Sequence, residues 1–276
     1  MSLRKKLMVC GCSFSAVSMR LDYKGTAWSE VLADRIDWDL INVARQGCSN
    51  GGIRIQINEV LRQRPHFAII SATNHDRIEI PAKSLESNDS VWKYKLKDKN
   101  KGTVEQLKLK KDSNYNQSIA IENINIKDDN FSLICETIYS LADNWRHPYR
   151  DQRKINTEAR EAVRQYVSYM YDSEWKKQLD EWIISQGILE LYNNNINFIF
   201  MLGLSVFGDK SQISHIIPSK YIISDWNDII TGFAYSKYGI KPPNKDQDPG
   251  YHTTKEGQIF IAERMLNIMQ KWGEIL

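Results

Sequence analysis

Four short segments of this chain hold the residue types that acyl transfer requires. Gly11-Cys12-Ser13-Phe14-Ser15 offers two hydroxyls and a thiol beside a glycine. Gly47-Cys48-Ser49-Asn50 offers a second glycine, and Ala72-Thr73-Asn74-His75 a carboxamide and an imidazole. Asp248-Pro249-Gly250-Tyr251-His252 places a carboxylate ahead of another imidazole. A serine hydroxyl attacks a carbonyl only when an imidazole within hydrogen-bond reach takes its proton. The oxyanion that forms needs preorganised donors, each worth about 2.7–4 kcal/mol. A glycine lets a backbone amide come close to the substrate, and an asparagine side chain can donate a second bond. A carboxylate near the imidazole would orient it and stabilise its cation. Ser13, Ser15 and Cys12 are therefore rival nucleophiles; His252 is the candidate base with His215 a distant rival, and His75 stands beside Asn74 without an assigned step. Each also has a plain structural role open to it. Ser13 could be a turn serine, Ser49 or Asn50 a helix cap, and Asn74 a turn former at a strand end.

The elements around these segments decide whether they can meet. Leu7–Cys10 is a short apolar run ending at Gly11. Trp28, Val31, Leu32 and Ile36 then share a helical face. Asp39–Ala44 reads as a second strand. Ile53, Ile57, Val60 and Leu61 mark a second helix, and Phe67–Ser71 a third strand, buried on both faces. Strands alternating with helices through short loops predict an α/β fold, a doubly wound parallel sheet covered on both sides. In such a sheet function collects on loops beyond the carboxyl ends of the strands, which is where the four segments fall.

The pattern changes after Pro81. Trp92, Tyr94 and Leu96 alternate with lysines, Leu107 and Leu109 alternate again, and a polar turn ending at Gly102 lies between, predicting a β-hairpin. Residues 118–127 also alternate, and Val163, Tyr166, Val167, Met170 and Tyr171 recur with helical period. Residues 82–173 are expected to form an insertion or lid, with 1–81 and 174–276 forming the α/β domain. In the second part, Trp175, Leu179, Trp182 and Ile183 make a helical stripe, and Asn197–Leu202 a further strand. Ser224 is a candidate cap for a helix carrying Ile229, Ile230 and Phe233. Thr253 and Glu256 form a capping-box pair ahead of Ile261, Met265, Ile268, Met269 and Trp272.

Composition narrows the class. The chain has 276 residues, 42% hydrophobic and 26% charged, the balance of a soluble globular protein. A net charge of +3 is too weak to imply nucleic-acid or membrane binding. The lysine-rich hairpin is better explained as an exposed face that blocks edge pairing than as a polyanion site. No apolar run reaches the ~18 residues of a membrane span, and the apolar stretch at Leu7–Cys10 is too short for a signal-peptide core. A cytoplasmic location is expected, with Cys10, Cys12, Cys48 and Cys135 as reduced thiols.

In order along the chain, GCSFS, the tryptophan of AWSEVLAD, INVARQGCSN, SATNHDR and DPGYHTTKEGQIFIAERM resemble the blocks of the SGNH (GDSL-like) hydrolases. The wording is most similar to that of members encoded by tailed phages, which would place the protein in a host cytoplasm or a virion. The resemblance covers about residues 1–80 and 175–276 and implies a flavodoxin-like sheet. It implies Ser13 as nucleophile and His252 as base, with the Ser13 and Gly47 amides and the Asn74 side chain as the oxyanion hole. It departs from the family at Cys12, where the family has aspartate, at Ala72 and His75 in the GxND block, and at Pro249 in the DxxH block. Asp248, with Asp246 as a weaker rival, either orients His252 from a bulged loop or leaves a Ser–His pair. The activity implied is hydrolysis of a carboxylic ester, O-acetyl groups on a carbohydrate being the narrower expectation. No metal or organic cofactor is implied, nor a nucleic-acid or membrane partner. The altered blocks keep a second class open, a non-catalytic carbohydrate-binding or virion-associated protein on the same scaffold.

Overall fold

A computed structural model describes residues 4–12, 14–16, 27–44, 48–75, 77–81, 119–122, 132–137, 165–201, 213–223 and 254–273. Its centre is a five-stranded parallel sheet of β1 (Lys6–Cys10), β2 (Asp39–Asn42), β3 (Phe67–Ser71), β7 (Phe198–Met201) and β8 (Ile222–Ile223), in the order β2-β1-β3-β7-β8. Strands β4 (Arg77–Pro81), β5 (Ile119–Glu122) and β6 (Ser132–Thr137) form a separate antiparallel sheet with β6 in the middle. The expected parallel α/β architecture is what the chain adopts.

Apart from Lys6 and Ser71 at their ends, the inner strands are apolar because both of their faces are covered. Leu7, Met8, Val9 and Cys10 are fully buried, as are all five residues of β3 and all four of β7. Val9 pairs with Asn42 on one side and Ile69 on the other. Each fully buried Leu, Val, Ile, Met or Phe contributes about 1.5–3 kcal/mol relative to its exposed form. Strand β2 ends at Asn42, two residues short of the Ala44 expected from sequence. The Val43 N–H still donates to the Val9 carbonyl, but the Ala44 N–H turns to the Asn42 side chain (2.9 Å), which stops the ladder.

The helices are α1 (Trp28–Ile36), α2 (Asn50–Gln63), α3 (Ser173–Asn193), α4 (Ile213–Ile216) and α5 (Lys255–Lys271). The chain steps from β1 out to β2 and back past β1 to β3. Right-handed crossovers therefore put α1 and α2 on opposite faces. Helix α1 packs with α5, and α2 with α3. Trp28 and Leu32 of α1 are buried, with Val31 and Ile36 packed against the core, as the helical spacing predicts. In α2, Ile53, Ile57 and Val60 are buried. Among the described residues no helix is long and apolar enough to cross a membrane.

Two expectations need correction. Helix α3 docks through Lys176, Asp180, Ile184, Gly187, Ile188 and Leu191, not through a stripe of Trp175, Leu179, Trp182 and Ile183. Trp175 and Trp182 are about half exposed and meet edge to face at 5.7 Å. The docking face is set by partners on α2 and β4 that accept its charged groups, and apolar spacing along α3 carries no sign of them. The cap of α5 is Thr254, whose hydroxyl accepts from the Gly257 N–H (3.4 Å). The helix begins one residue later than the Thr253–Glu256 box requires, which moves Glu256 to the second helical position. The lysine hairpin and the helix after Ser224 lie outside the described residues. The short helix at 165–169 and strand β5 fall within segments read as periodic; β4 and β6 were not foreseen.

Candidate active site

The sheet order reverses between β1 and β3, and the loops leaving their carboxyl ends flank that switch point, where open α/β sheets hold ligands. The loop after β1 begins at Gly11, whose φ of 153° is a conformation that side chains rarely allow. Gln56, one turn and more into α2, fixes this glycine from both sides. Its Oε1 accepts from the Gly11 N–H (2.7 Å), and its Nε2 donates to the Gly11 carbonyl (3.2 Å) and to Cys48 Sγ (3.3 Å). The Ser15 and Ala16 N–H groups donate to the Cys12 carbonyl (3.0 Å each), closing a tight turn. Asn42 Nδ2 donates to the Ser15 carbonyl (2.8 Å) and Ser29 Oγ (3.0 Å). Gly11 is thus held by α2, and the Ser15 carbonyl by β2, whose Asn42 is steadied in turn by Ser29 of α1. Cys12 is 1% exposed and Ser15 0%, and among the described residues the Ser15 hydroxyl has no hydrogen-bond partner. Burial of both groups makes Ser15 and Cys12 poor rivals as nucleophiles in this conformation.

After β2 the chain passes to Cys48 and to Ser49, which caps α2 by accepting from the Gly52 N–H (3.3 Å). Arg77 Nη1 donates to the Cys48 carbonyl (2.8 Å). After β3 come Ala72, Thr73, Asn74 and His75. The Ala72 N–H donates to the Met201 carbonyl (3.1 Å), the Thr73 N–H to Asn50 Oδ1 (2.8 Å), and Asn50 Nδ2 to the Thr73 carbonyl (2.9 Å). Tyr171 Oη donates to the His75 carbonyl (3.1 Å). Asn74 is half-buried, with its neighbours on either side pinned. Ala72 does not adopt a positive φ, so this position does not need the family's glycine.

The first turn of α5 reaches the same rim. Gln258 Oε1 accepts from the Trp28 N–H (2.9 Å), and Trp28 Nε1, on a buried indole, donates to the Phe14 carbonyl (2.9 Å). Glu30 reaches back to the Ala27 N–H (3.1 Å), steadying the start of α1. A relay of two residues thus links the start of α5 to the Phe14 carbonyl.

Of the residues singled out from sequence, Asn74 and His75 lie at the switch point, and Cys12 and Ser15 lie beside it but buried. His215 sits exposed on short α4. Ser13, Gly47, Asp246, Asp248 and His252 lie outside the described residues. Sequence reading missed Gln56, Asn42 and Asp180 among the groups that hold the rim, and read Asn50 only as a possible helix cap, a place that Ser49 takes. An amide or acid on the inner face of a helix, or at the buried end of a strand for Asn42, was the available signal. Asp180 Oδ2 accepts from Asn50 Nδ2 (2.9 Å), and Asp180 is ion-paired with Lys176, which also lies 3.3 Å from Glu79. Burial pushes the Asp180 carboxyl up to about 6, against the opposing pull of Lys176. Among the described residues no group of three or more His, Cys, Asp or Glu is arranged to hold a metal ion.

No protein-family model matches the chain, and no curated protein matches it. Among solved structures, it is similar to the acetyl xylan esterase AlAXEase at 11% identity, covering 95% of this chain and 98% of that one, with a TM-score of 0.43. It is also similar to a protein from Desulfitobacterium hafniense DCB-2 assigned to the lipolytic G-D-S-L family. There the identity is 10%, the coverage 96% of this chain and 99% of that one, and the TM-score 0.39. The α/β class of this chain stands on its own strand order and register rather than on these loose superpositions.

Proposed function

We propose that this chain is an SGNH-type serine hydrolase of carboxylic esters, with Ser13 as nucleophile and His252 as general base. The observation that carries this reading is the relay from Gln258 through Trp28 to the Phe14 carbonyl. It holds the chain next to residue 13 and the helix that begins just after residue 252 at one end of the sheet. Two residues span at most about 7 Å, so His252 is tethered within a short reach of Thr254. The order of the sequence blocks and the pinned loop around Asn74 support the same reading.

On this reading Ser13 Oγ attacks the ester carbonyl while the His252 imidazole takes its proton. The amides of Ser13 and Gly47 and the side chain of Asn74 hold the oxyanion. His252 then protonates the departing alcohol, and water activated by the same imidazole releases the acid from the acyl-enzyme. Asp248 orients the imidazole if its loop bulges; otherwise Ser13 and His252 act as a pair. Small acyl esters, O-acetyl groups on a carbohydrate in particular, are the proposed substrates. Residues 82–173 are the proposed insertion over the site. A fold that hosts many functions proves no reaction, so the site residues carry the claim.

Hydrolysis of p-nitrophenyl acetate tests it. Ser13→Ala and His252→Ala are each expected to lower kcat by about 10³-fold or more while the protein stays folded. Ser13→Ala turning over at the wild-type rate would overturn the assignment. The departures in the GxND and DxxH blocks, Ala72, His75 and Pro249, favour the second reading, a non-catalytic carbohydrate-binding or virion-associated protein on this scaffold. It predicts no Ser13-dependent turnover at all in folded wild-type protein.

A further inference from the structure

The first helical residue of α2, Asn50, is 1% exposed, and the cap of that helix is supplied by Ser49. Capping therefore does not explain a buried carboxamide at this position. Its two polar atoms are both engaged. Oδ1 accepts from the Thr73 N–H (2.8 Å), while Nδ2 donates to the Thr73 carbonyl (2.9 Å) and to Asp180 Oδ2 (2.9 Å). A side-chain amide that binds both the N–H and the C=O of one residue fixes the two peptide planes around it. That residue immediately precedes Asn74. Thr73 and Asp180 are themselves 0% and 1% exposed, so water does not compete for these bonds.

We propose that Asn50 is a positioning residue for the loop that carries Asn74, and that Asp180 holds Asn50 in that orientation. The inference rests on the ester-hydrolase reading above. Asp180 is fixed in turn by charges from two elements. Lys176 pairs with it from the same helix, and Glu79 of β4 lies 3.3 Å from Lys176 while accepting from the Gly51 N–H at the start of α2 (2.9 Å). The loop is thus braced by the start of α2 before Asn74 and by Tyr171 after it. An oxyanion donor acts only if it waits in place, and a misplacement of about 1 Å can cost 10²-fold in rate.

A double-mutant cycle on p-nitrophenyl acetate tests this. Asn74→Ala is expected to lower kcat by about 10²–10³-fold, the loss of one oxyanion donor. Asn50→Ala is expected to lower kcat about tenfold or more with KM within about twofold. The double variant should be no slower than Asn74→Ala alone, because Asn50 acts through Asn74. An unchanged kcat in Asn50→Ala, or losses that multiply in the double variant, would overturn the proposal. If Asn50→Ala does not fold, Asn50→Ser takes its place in the same cycle. Amide exchange in the wild type gives a reading independent of turnover. The Thr73 N–H should be protected well beyond an open loop, and exchange at open-loop rates would contradict the clamp. Absence of Ser13-dependent turnover in the wild type marks failure of the esterase reading instead, and the Thr73 amide then decides the clamp alone.

Discussion

At position 11 a β-carbon would stand 2.9 Å from Ser15 Cβ and Oγ and 3.2 Å from Ser71 Cβ, on a backbone with φ of 153°. Gly11→Ala therefore meets strain and crowding together, and its neighbours are packed backbone-proximal atoms that yield little. The expected cost is about 1–3 kcal/mol, read as a lowered urea midpoint; an unchanged midpoint would contradict the geometry. Asp180 makes a second prediction at this scale. Its carboxyl is raised by burial from an ordinary value of 3.8 to about 6, with Lys176 and Asn50 favouring the charged form and Glu79 disfavouring it. A raised acid binds its proton more tightly in the folded state. Its stabilising contribution is complete below about pH 4 and is lost as pH rises through about 6. The unfolding free energy of the wild type minus that of Asp180→Asn should fall across this window and level off above it. A difference that climbs with pH would reverse the assignment. The glycine was legible from the sequence as a turn after a strand. The acid was not, because a charged residue on a helix reads as solvent-facing until its buried partners are known.

Helix α2 serves three tasks, packing through Ile53, Ile57 and Val60, clamping Gly11 through Gln56, and bracing Thr73 through Asn50. Its cap, Ser49, should matter accordingly. Ser49→Ala removes the acceptor of the Gly52 N–H and is expected to lower stability by about 1 kcal/mol, measured by denaturant unfolding; no loss would show that water or another group caps the helix equally well. Strands β1 and β3 and helices α1 and α2 were legible because apolar residues at period 3.6, or in short unbroken runs, have few other folds to serve. The face of α3 was not. Its docking rests on an ion-paired cluster contributed by α2 and β4 as well, so the two tryptophans that looked like core residues stay partly exposed. Strands β4 and β6 were missed for a related reason. Each is defined by the other through an antiparallel register that no local pattern specifies.

Across the whole molecule, the order β2-β1-β3 makes the loops after β1 and β3 neighbours at the switch point, an arrangement that the alternation of strands and helices in the sequence anticipated. The contacts that tie the last helix to it could not be read in advance. Trp28 and Gln258 meet across 230 positions of chain, a pairing set by how α1 and α5 pack on one face of the sheet. That packing underlies the central claim, because it tethers the chain beside Ser13 and the helix after His252 to one rim. Covalent labelling of the folded protein with a fluorophosphonate probe, followed by peptide mass spectrometry, tests the claim most directly. The adduct is expected on the peptide containing Ser13, strongly reduced in His252→Ala and absent in Ser13→Ala. Folded wild-type protein that takes up no label, or takes it up elsewhere, would contradict it.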